Sequence, residues 1–131
     1  MNEQTRYSEE DIKSMSGPQL LLLLYDEAIA RLTSAEQLLE DKNYDEFDDC
    51  MGRVSRIVRY LKDILDMNYS VSGDLKRIYE YLVYDLSVIK AGKESKREEI
   101  GRILHILTEL REGFDGASKQ VDEQNVEEGI R

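Results

Sequence analysis

The side chains best able to carry chemistry in this sequence are a single histidine, His105, a single cysteine, Cys50, and many carboxylates. A di-iron site in a helical bundle needs Glu-x-x-His pairs on two helices, but Arg102 stands three residues before His105. A zinc site would have to complete its ligands with carboxylates. No glycine-rich phosphate loop precedes a helix, and no serine lies in a nucleophile-elbow sequence. These residues predict no catalytic centre, no metal site and no cofactor, so we expect a protein that is not an enzyme.

One alternative use of His105 stays open. An exposed histidine on a four-helix bundle is the arrangement of a histidine phosphotransfer domain, and His105 falls on the polar side of a predicted helix. Such domains usually place a lysine and a glycine shortly after the histidine to hold the phosphate. Here Ile106, Leu107, Thr108 and Glu109 follow, and the Glu109 carboxylate would repel a phosphoryl group. The sequence therefore disfavours phosphotransfer without removing it.

Charge and hydropathy limit the classes of partner. The formal net charge is −10 over 131 residues, and an acidic surface repels both nucleic-acid phosphates and anionic lipids. No apolar run approaches the roughly 20 residues of a membrane span. The first residues, 1–4, lack the basic and apolar segments of a signal peptide. Cys50 falls among core positions, so we expect a buried thiol and a location in the reducing cytoplasm, with no nucleic acid and no membrane insertion.

Apolar residues recur at spacings of three and four along most of the chain, which predicts an all-α protein. The predicted helices cover residues 16–40, 43–67, 74–91 and 95–118. Their short connections force neighbours to run antiparallel, so residues 1–131 should form one domain, an antiparallel up-down-up-down four-helix bundle spanning 16–118. We expect residues 1–15 to form a short N-terminal arm or helix, and the acidic residues 119–131 to be a disordered tail.

Local signals place the helix ends and one close contact. Ser16 and Ser95 each start a capping box, and Asn43 is an N-cap. Gly92 is expected just beyond the end of the third helix, in the conformation that favours glycine. Gly52, in the interior of the second helix, is interpreted as a point where another helix approaches closely.

The first helix is too apolar to bury one face only, because residues 20–24 are all leucine and pass more than once around the helix axis. Its core seam is Leu21, Tyr25, Ala28, Leu32, Ala35 and Leu39. Leu20 lies to one side of this seam and Leu23 nearly opposite, where a bundle core cannot reach it. Either another part of the chain or a partner covers Leu23, or it is one of the single exposed apolar residues that proteins tolerate.

The third helix also carries more apolar residues than one seam needs. Its core seam is Leu75, Ile78, Leu82, Leu86 and Ile89, with Tyr79 and Val83 on one flank. Tyr81, Tyr84 and Val88 form a second stripe, and tyrosine is enriched where proteins meet partners. Alternatively this stripe packs under the N-terminal arm, whose apolar residues Tyr7 and Ile12 could dock there.

Several stretches resemble the FliS family of flagellar secretion chaperones. Residues 16–29, SGPQLLLLLYDEAI, resemble the family's S-P-x-x-L-L-L-M-L-Y-D-G-A-I stretch, except that Glu27 replaces the usual glycine. Tyr7 and Ile12 are similar to its N-terminal arm. Three further matches follow in the family's order: Leu65-Asp66 before a glycine-containing loop, residues 78–82, and residues 107–114.

The resemblance implies a cytoplasmic export chaperone that binds the disordered C-terminal segment of flagellin. It would prevent premature polymerisation and deliver flagellin to the flagellar type III secretion apparatus, with a co-chaperone or an export-gate component as a further candidate partner. A helical adaptor for another amphipathic partner is the alternative. The expected binding residues are Tyr7, Ile12, Leu20, Leu23, Tyr25, Asp26, Tyr81, Tyr84 and Val88.

Overall fold

The structure, a computed structural model, describes Met15 and residues 17–130, with the backbone alone for residues 117–130. Four α-helices account for most of these residues, which confirms the all-α prediction. They are α1 (Gly17–Glu40), α2 (Tyr44–Asp63), α3 (Val71–Gly92) and α4 (Arg97–Ile130). A single 3-10 turn, Lys93–Lys96, precedes α4. The described residues include no strand.

The helices pack in a ring in which α1 contacts α2 and α4, and α2 contacts α3. Near the end of α1, Glu40 accepts a hydrogen bond from Arg97, the first residue of α4, with 3.0 Å between the two atoms. Near the start of α1, Asp26 bonds Arg111, well along α4. These two contacts show that α1 and α4 run antiparallel. The fourth side of the ring, between α3 and α4, is the least closely packed.

The core follows the predicted seams closely. Its buried residues are Tyr25, Ala28, Leu32, Ala35 and Leu39 of α1, Phe47, Met51, Val54, Val58 and Leu61 of α2, Leu75, Tyr79, Leu82, Leu86 and Ile89 of α3, and Ile100, Ile103 and Leu107 of α4. Each large apolar side chain buried in this way stabilises the fold by about 1.5–3 kcal/mol. The helical period therefore determines which residues form the interior.

Two neighbouring residues of α3 exchange their predicted positions. Tyr79 was expected on the flank and Ile78 in the seam, but Tyr79 is buried and Ile78 is only partly buried. The reason is a partner on α1: the Tyr25 and Tyr79 hydroxyls are hydrogen-bonded to each other inside the core. A buried tyrosine hydroxyl needs such a partner. The Tyr25 ring also packs against Phe114 of α4, with 5.7 Å between the ring centroids.

The helix ends depart from the capping predictions. Asn43 makes no side-chain cap, although its backbone carbonyl accepts from the Phe47 N–H at 3.0 Å. Ser95 lies in the 3-10 turn, where its hydroxyl donates to the Gly92 carbonyl at 2.7 Å, and α4 begins two residues later. Ser16 lies outside the described residues, so its capping box is not tested.

The end of α3 was also predicted wrongly. Lys93, not Gly92, has the positive φ, at 53°. The Lys93 ammonium compensates for this conformation, because it donates to Asp48 at 2.6 Å and lies over the Phe47 ring, 5.2 Å from its centroid. Both partners lie near the start of α2, far from Lys93 in the chain, so a local sequence pattern could not include them.

The second and fourth helices also end elsewhere than predicted. Helix α2 ends at Asp63 instead of near Met67. Helix α4 runs to Ile130, beyond the predicted end at residue 118. Residues 119–130 contain no proline, and adding residues to an existing helix costs little compared with starting one.

Gly52 is not a point of close helix approach. A methyl group added at this residue would meet only a guanidinium nitrogen of Arg56, one turn further along the same helix, at 3.6 Å. Glycine in a helix interior reduces stability relative to alanine. The interpretation made from the sequence is therefore wrong, and Gly52 only weakens α2.

We expect Gly52→Ala to raise the free energy of unfolding by about 0.5–1 kcal/mol, because alanine has the higher helix propensity and no neighbour obstructs its methyl group. Urea denaturation followed by circular dichroism measures the change. Gly92→Ala is the matched control, since a methyl group there would lie 2.4 Å from the Lys96 side chain. It should be destabilising. A loss of stability in Gly52→Ala would contradict the open surroundings of this residue.

The buried tyrosine pair predicts a stability loss at alkaline pH. Burial raises the pKa of Tyr25 and of Tyr79 above the value of about 10 expected in an unfolded chain. A raised folded-state pKa means that this contribution to stability is complete below pH 10 and is lost as the pH rises further. The double variant Tyr25→Phe/Tyr79→Phe should lose less stability between pH 9 and pH 11 than the wild type in urea titrations. Equal losses would contradict the assignment.

Candidate functional site

An open apolar cleft lies at one end of the bundle. We call it the end cleft, and its volume is about 440 Å³. All four helices and the α2–α3 connection contribute to its lining: Gly17, Pro18, Leu21, Leu61, Ile64, Leu65, Asp66, Tyr69, Val71, Ser72, Leu75, Tyr79 and Phe114. Volumes of this size are usual for ligand-binding clefts, and mostly apolar walls with a few polar groups are their usual composition.

The α2–α3 connection shapes this cleft. After Asp63 the chain leaves the helix and folds back on itself around Asp66, whose backbone carbonyl accepts from the Tyr69 N–H at 3.2 Å and from the Ser72 hydroxyl at 2.5 Å. One Asp66 carboxylate oxygen accepts from the Asn68 N–H at 3.0 Å. These bonds hold the apolar residues of the connection over the end of the bundle rather than inside it.

The rim of the end cleft carries exposed aliphatic side chains. Ile64 and Val71 line the cleft and are each about half exposed. Met67, in the same connection, is exposed to a similar degree but lines a separate small cleft. The other large apolar residues exposed in the described part of the chain are all tyrosines: Tyr44, Tyr60, Tyr69, Tyr81 and Tyr84. Contiguous apolar surface on a soluble protein usually marks an interaction site. The end cleft is therefore the strongest candidate site on the molecule.

Sequence reasoning did not identify this cleft. The residues that form its rim lie in a connection and show no helical or strand period. The available signal was composition, because Ile64, Leu65, Met67, Tyr69 and Val71 make the connection far more apolar than surface loops usually are. Of the residues that line the cleft, the sequence predicts Leu21 and Leu75 in core seams. It predicts none of them in a binding site.

The predicted binding residues on α1 fall into two groups. Leu20 and Leu23 are partly buried, yet neither packs against the buried core, as the seam predicted. Tyr25 is fully buried and hydrogen-bonded to Tyr79, so the expectation that it contacts a partner is wrong. Tyr7 and Ile12 lie outside the described residues.

Asp26 is already engaged within the bundle. Its two carboxylate oxygens accept from the Arg111 guanidinium at 2.5 and 3.3 Å, which joins α1 to α4. A partly exposed ion pair of this kind contributes little to stability, about 1 kcal/mol or less. The Asp26 carboxylate is therefore already paired within the bundle.

The predicted residues on α3 lie on a different surface. The Tyr81 hydroxyl accepts from Arg102 of α4 at 2.6 Å, and the guanidinium carbon lies 5.4 Å from the ring centroid. Arg102 also bonds Asp85 and Glu99. Tyr84 is exposed and Val88 is partly buried. Because α1 and α3 lie across the diagonal of the ring, these residues do not form one groove with Leu20 and Leu23.

A second, more polar cleft lies between α1 and α2, with a volume of about 430 Å³. Cys50 lines it and is only partly buried, so the prediction of a buried thiol is wrong, although burial still raises its pKa. Arg31 borders the same cleft and bonds Glu27 at 2.7 Å. The Glu27 carboxylate is therefore paired with Arg31 of the same helix.

The described part of the chain contains no group of three or more histidine, cysteine, aspartate or glutamate residues that could hold a metal ion. Within the same residues, no helix combines the length and apolarity needed to span a membrane. His105 is exposed on α4. The end cleft, with mostly apolar walls, is suited to non-covalent binding of an amphipathic segment.

Comparison with known proteins agrees with this fold. The chain is 25% identical over 112 residues to the flagellar secretion chaperone FliSB of Pseudomonas aeruginosa, covering 84% of this chain and 87% of FliSB. It is also 24% identical over 125 residues to the kinesin heavy chain of Strongylocentrotus purpuratus, but it spans only 12% of that protein. The crystal structure of a flagellar chaperone from bacteria superposes with a TM-score of 0.73 at 21% identity, covering 88% of this chain and 94% of the other. The profile of the family described as "Flagellar protein FliS" matches residues 1–121, and the chain therefore belongs to the FliS family.

Proposed function

We propose that this protein is a cytoplasmic flagellar export chaperone, and not an enzyme, that binds the disordered C-terminal segment of flagellin. It prevents premature polymerisation and delivers flagellin to the flagellar type III secretion apparatus. Membership of the FliS family supports the flagellar role. The observation that carries the binding proposal is the end cleft with its exposed aliphatic rim on a chain of net charge −10.

The cleft fits one mode of recognition in particular. An amphipathic segment that folds into a helix as it binds can place its apolar side chains in such a cleft. The ordering of a disordered segment costs part of the interaction energy, so a long contact surface is needed. Leu21 lines the cleft, and Leu20 and Leu23 continue from it on the outer side of α1. A client helix that leaves the cleft along α1 would therefore cover these leucines.

Two further parts of the chain enter this proposal. Tyr81, Tyr84 and Val88 offer a separate contact surface, available to a client that wraps the bundle or to a co-chaperone or export-gate component. Gly17 and Pro18 line the end cleft, so the segment that precedes them starts at its edge. We propose that Tyr7 and Ile12, in this arm, compete with the client for the cleft.

The first test addresses the outer leucines of α1. Calorimetry with a synthetic peptide from the C-terminal end of flagellin should give saturable binding to the wild type. Leu23→Asp should weaken it by tenfold or more, about the loss of one buried leucine contact, with melting almost unchanged. Ala30→Asp is the matched control, because it adds the same charge two turns along the outer face of α1 at an exposed residue. Unfolding of Leu23→Asp would show that Leu23 is core.

The second test addresses the end cleft itself. Ile64→Asp introduces a charge at the cleft rim and should reduce peptide affinity at least tenfold, because the charge opposes desolvation of the apolar surface. Tyr60→Asp is the control: Tyr60 is 47% exposed against 48% for Ile64, lies four residues earlier, and does not line the cleft. Equal affinities of the two variants for the peptide would rule out the end cleft as the binding site.

A further inference from the structure

One residue that lines the end cleft, Tyr79, has a hydroxyl whose hydrogen-bonding partner is another hydroxyl. Tyr79 lines the cleft and is 1% exposed, and its hydroxyl is hydrogen-bonded to that of Tyr25, which is fully buried. Among the residues that the structure describes, neither hydroxyl has another hydrogen-bonding partner. Burial raises the pKa of both tyrosines, so both keep their protons at neutral pH.

The bond between the two hydroxyls leaves one of their two protons without an acceptor. Each tyrosine hydroxyl carries one donor proton, and a single bond between two hydroxyls uses one of the two. When Tyr25 donates, Tyr79 keeps the free proton, and Tyr79 is the member of the pair that lines the cleft. A buried donor without an acceptor is unfavourable. An acceptor placed in the cleft would therefore stabilise this orientation of the pair.

We propose that the occupant of the end cleft brings a neutral oxygen acceptor to the Tyr79 hydroxyl, in addition to apolar side chains that fill the walls. This inference rests on the proposed function for the identity of the occupant, the client segment. The acceptor is a backbone carbonyl at the end of the client helix, or an amide or hydroxyl side chain. A carboxylate is disfavoured, because it would lose its hydration among apolar walls and lie in the same cleft as Asp66.

The proposal makes the end cleft selective in a way that apolar area alone does not. In a purely apolar cleft, a ligand with a carbonyl binds more weakly than a hydrocarbon of equal size, because the carbonyl loses its hydrogen bonds to water. With the Tyr79 hydroxyl as donor, the carbonyl recovers one bond. The ratio of the affinities of the carbonyl ligand and the hydrocarbon therefore reports whether Tyr79 donates a proton to the ligand.

Two small probes of matched shape test this directly on the full chain. Butylbenzene and butyrophenone differ mainly in a ketone oxygen, and their dissociation constants can be measured by NMR titration. In the wild type, we expect butyrophenone to bind at least as tightly as butylbenzene. In Tyr79→Phe, butyrophenone should lose about tenfold relative to butylbenzene, the usual size of a buried hydrogen bond. Tyr60→Phe, outside the cleft, should keep the wild-type ratio.

The design also covers loss of structure in the variant. Butylbenzene binding reports whether the cleft persists in Tyr79→Phe. If Tyr79→Phe does not bind butylbenzene, the double variant Tyr25→Phe/Tyr79→Phe, which removes both hydroxyls, is used instead. The same relative loss of butyrophenone affinity is expected for it. The proposal is overturned if neither probe binds the wild type, or if the ratio is the same in the wild type and in the variant that retains the cleft.

The flagellin peptide separates this inference from the proposed function. A wild type that prefers butyrophenone but does not bind the peptide would contradict the flagellin proposal and leave the hydroxyl assignment standing. Peptide binding that Tyr79→Phe leaves unchanged would contradict the acceptor proposal and leave the function standing. A five- to tenfold loss of peptide affinity in Tyr79→Phe, with Tyr60→Phe outside the cleft as control, supports both.

Discussion

The contact between Tyr25 and Tyr79 joins two helices that lie on opposite sides of the ring, and the open end of the bundle depends on it. Together with Phe114 these residues form an aromatic layer, whereas nearby layers of α1 contribute the small Ala28 and Ala35. A close-packed core must be wider where its side chains are larger. The end cleft lies directly beside this aromatic layer, since Tyr79 and Phe114 also line the cleft.

The opposite end of the bundle is joined mainly by polar contacts. Arg97 bonds Glu40, Lys93 bonds Asp48, and the Tyr44 hydroxyl bonds Glu94. Exposed ion pairs of this kind add little stability individually. They connect the 3-10 turn and the start of α4 to the end of α1 and the start of α2. The two ends therefore differ in kind, one joined by paired charges and the other left open with aliphatic side chains.

The helices and their buried faces could be predicted from the sequence because burial imposes a 3.6-residue period, and a period persists over many residues. Single positions are harder. Tyr79 and Ile78 are neighbours, and which of them is buried depends on Tyr25, 54 residues away in the chain. The end of α3 likewise depends on the contact of Lys93 with Asp48, 45 residues earlier. No local pattern contains these partners.

The candidate site was harder to predict for the same reason. Leu23 could be identified as lying off the core because it belongs to a regular helix, whereas Ile64, Met67 and Val71 belong to a connection and its edge. Apolar residues in a connection do not reveal on which side of the chain they will lie. In the structure the connection is held by the bonds that the Tyr69 N–H and the Ser72 hydroxyl donate to the Asp66 carbonyl, and no periodic pattern in the sequence signals these bonds.

A chaperone for an exported protein must release its client, and the end cleft is consistent with that requirement. Interfaces gain affinity from apolar contact that is fully removed from water, surrounded by contacts that exclude solvent. Here the aliphatic rim is already half exposed, and the cleft opens to solvent at the end of the bundle. Such a site gains affinity through the length of the client rather than through one deep anchor. If the client binds along α1 as proposed, it could be released stepwise, since each turn of its helix that leaves α1 would give up only part of the binding energy.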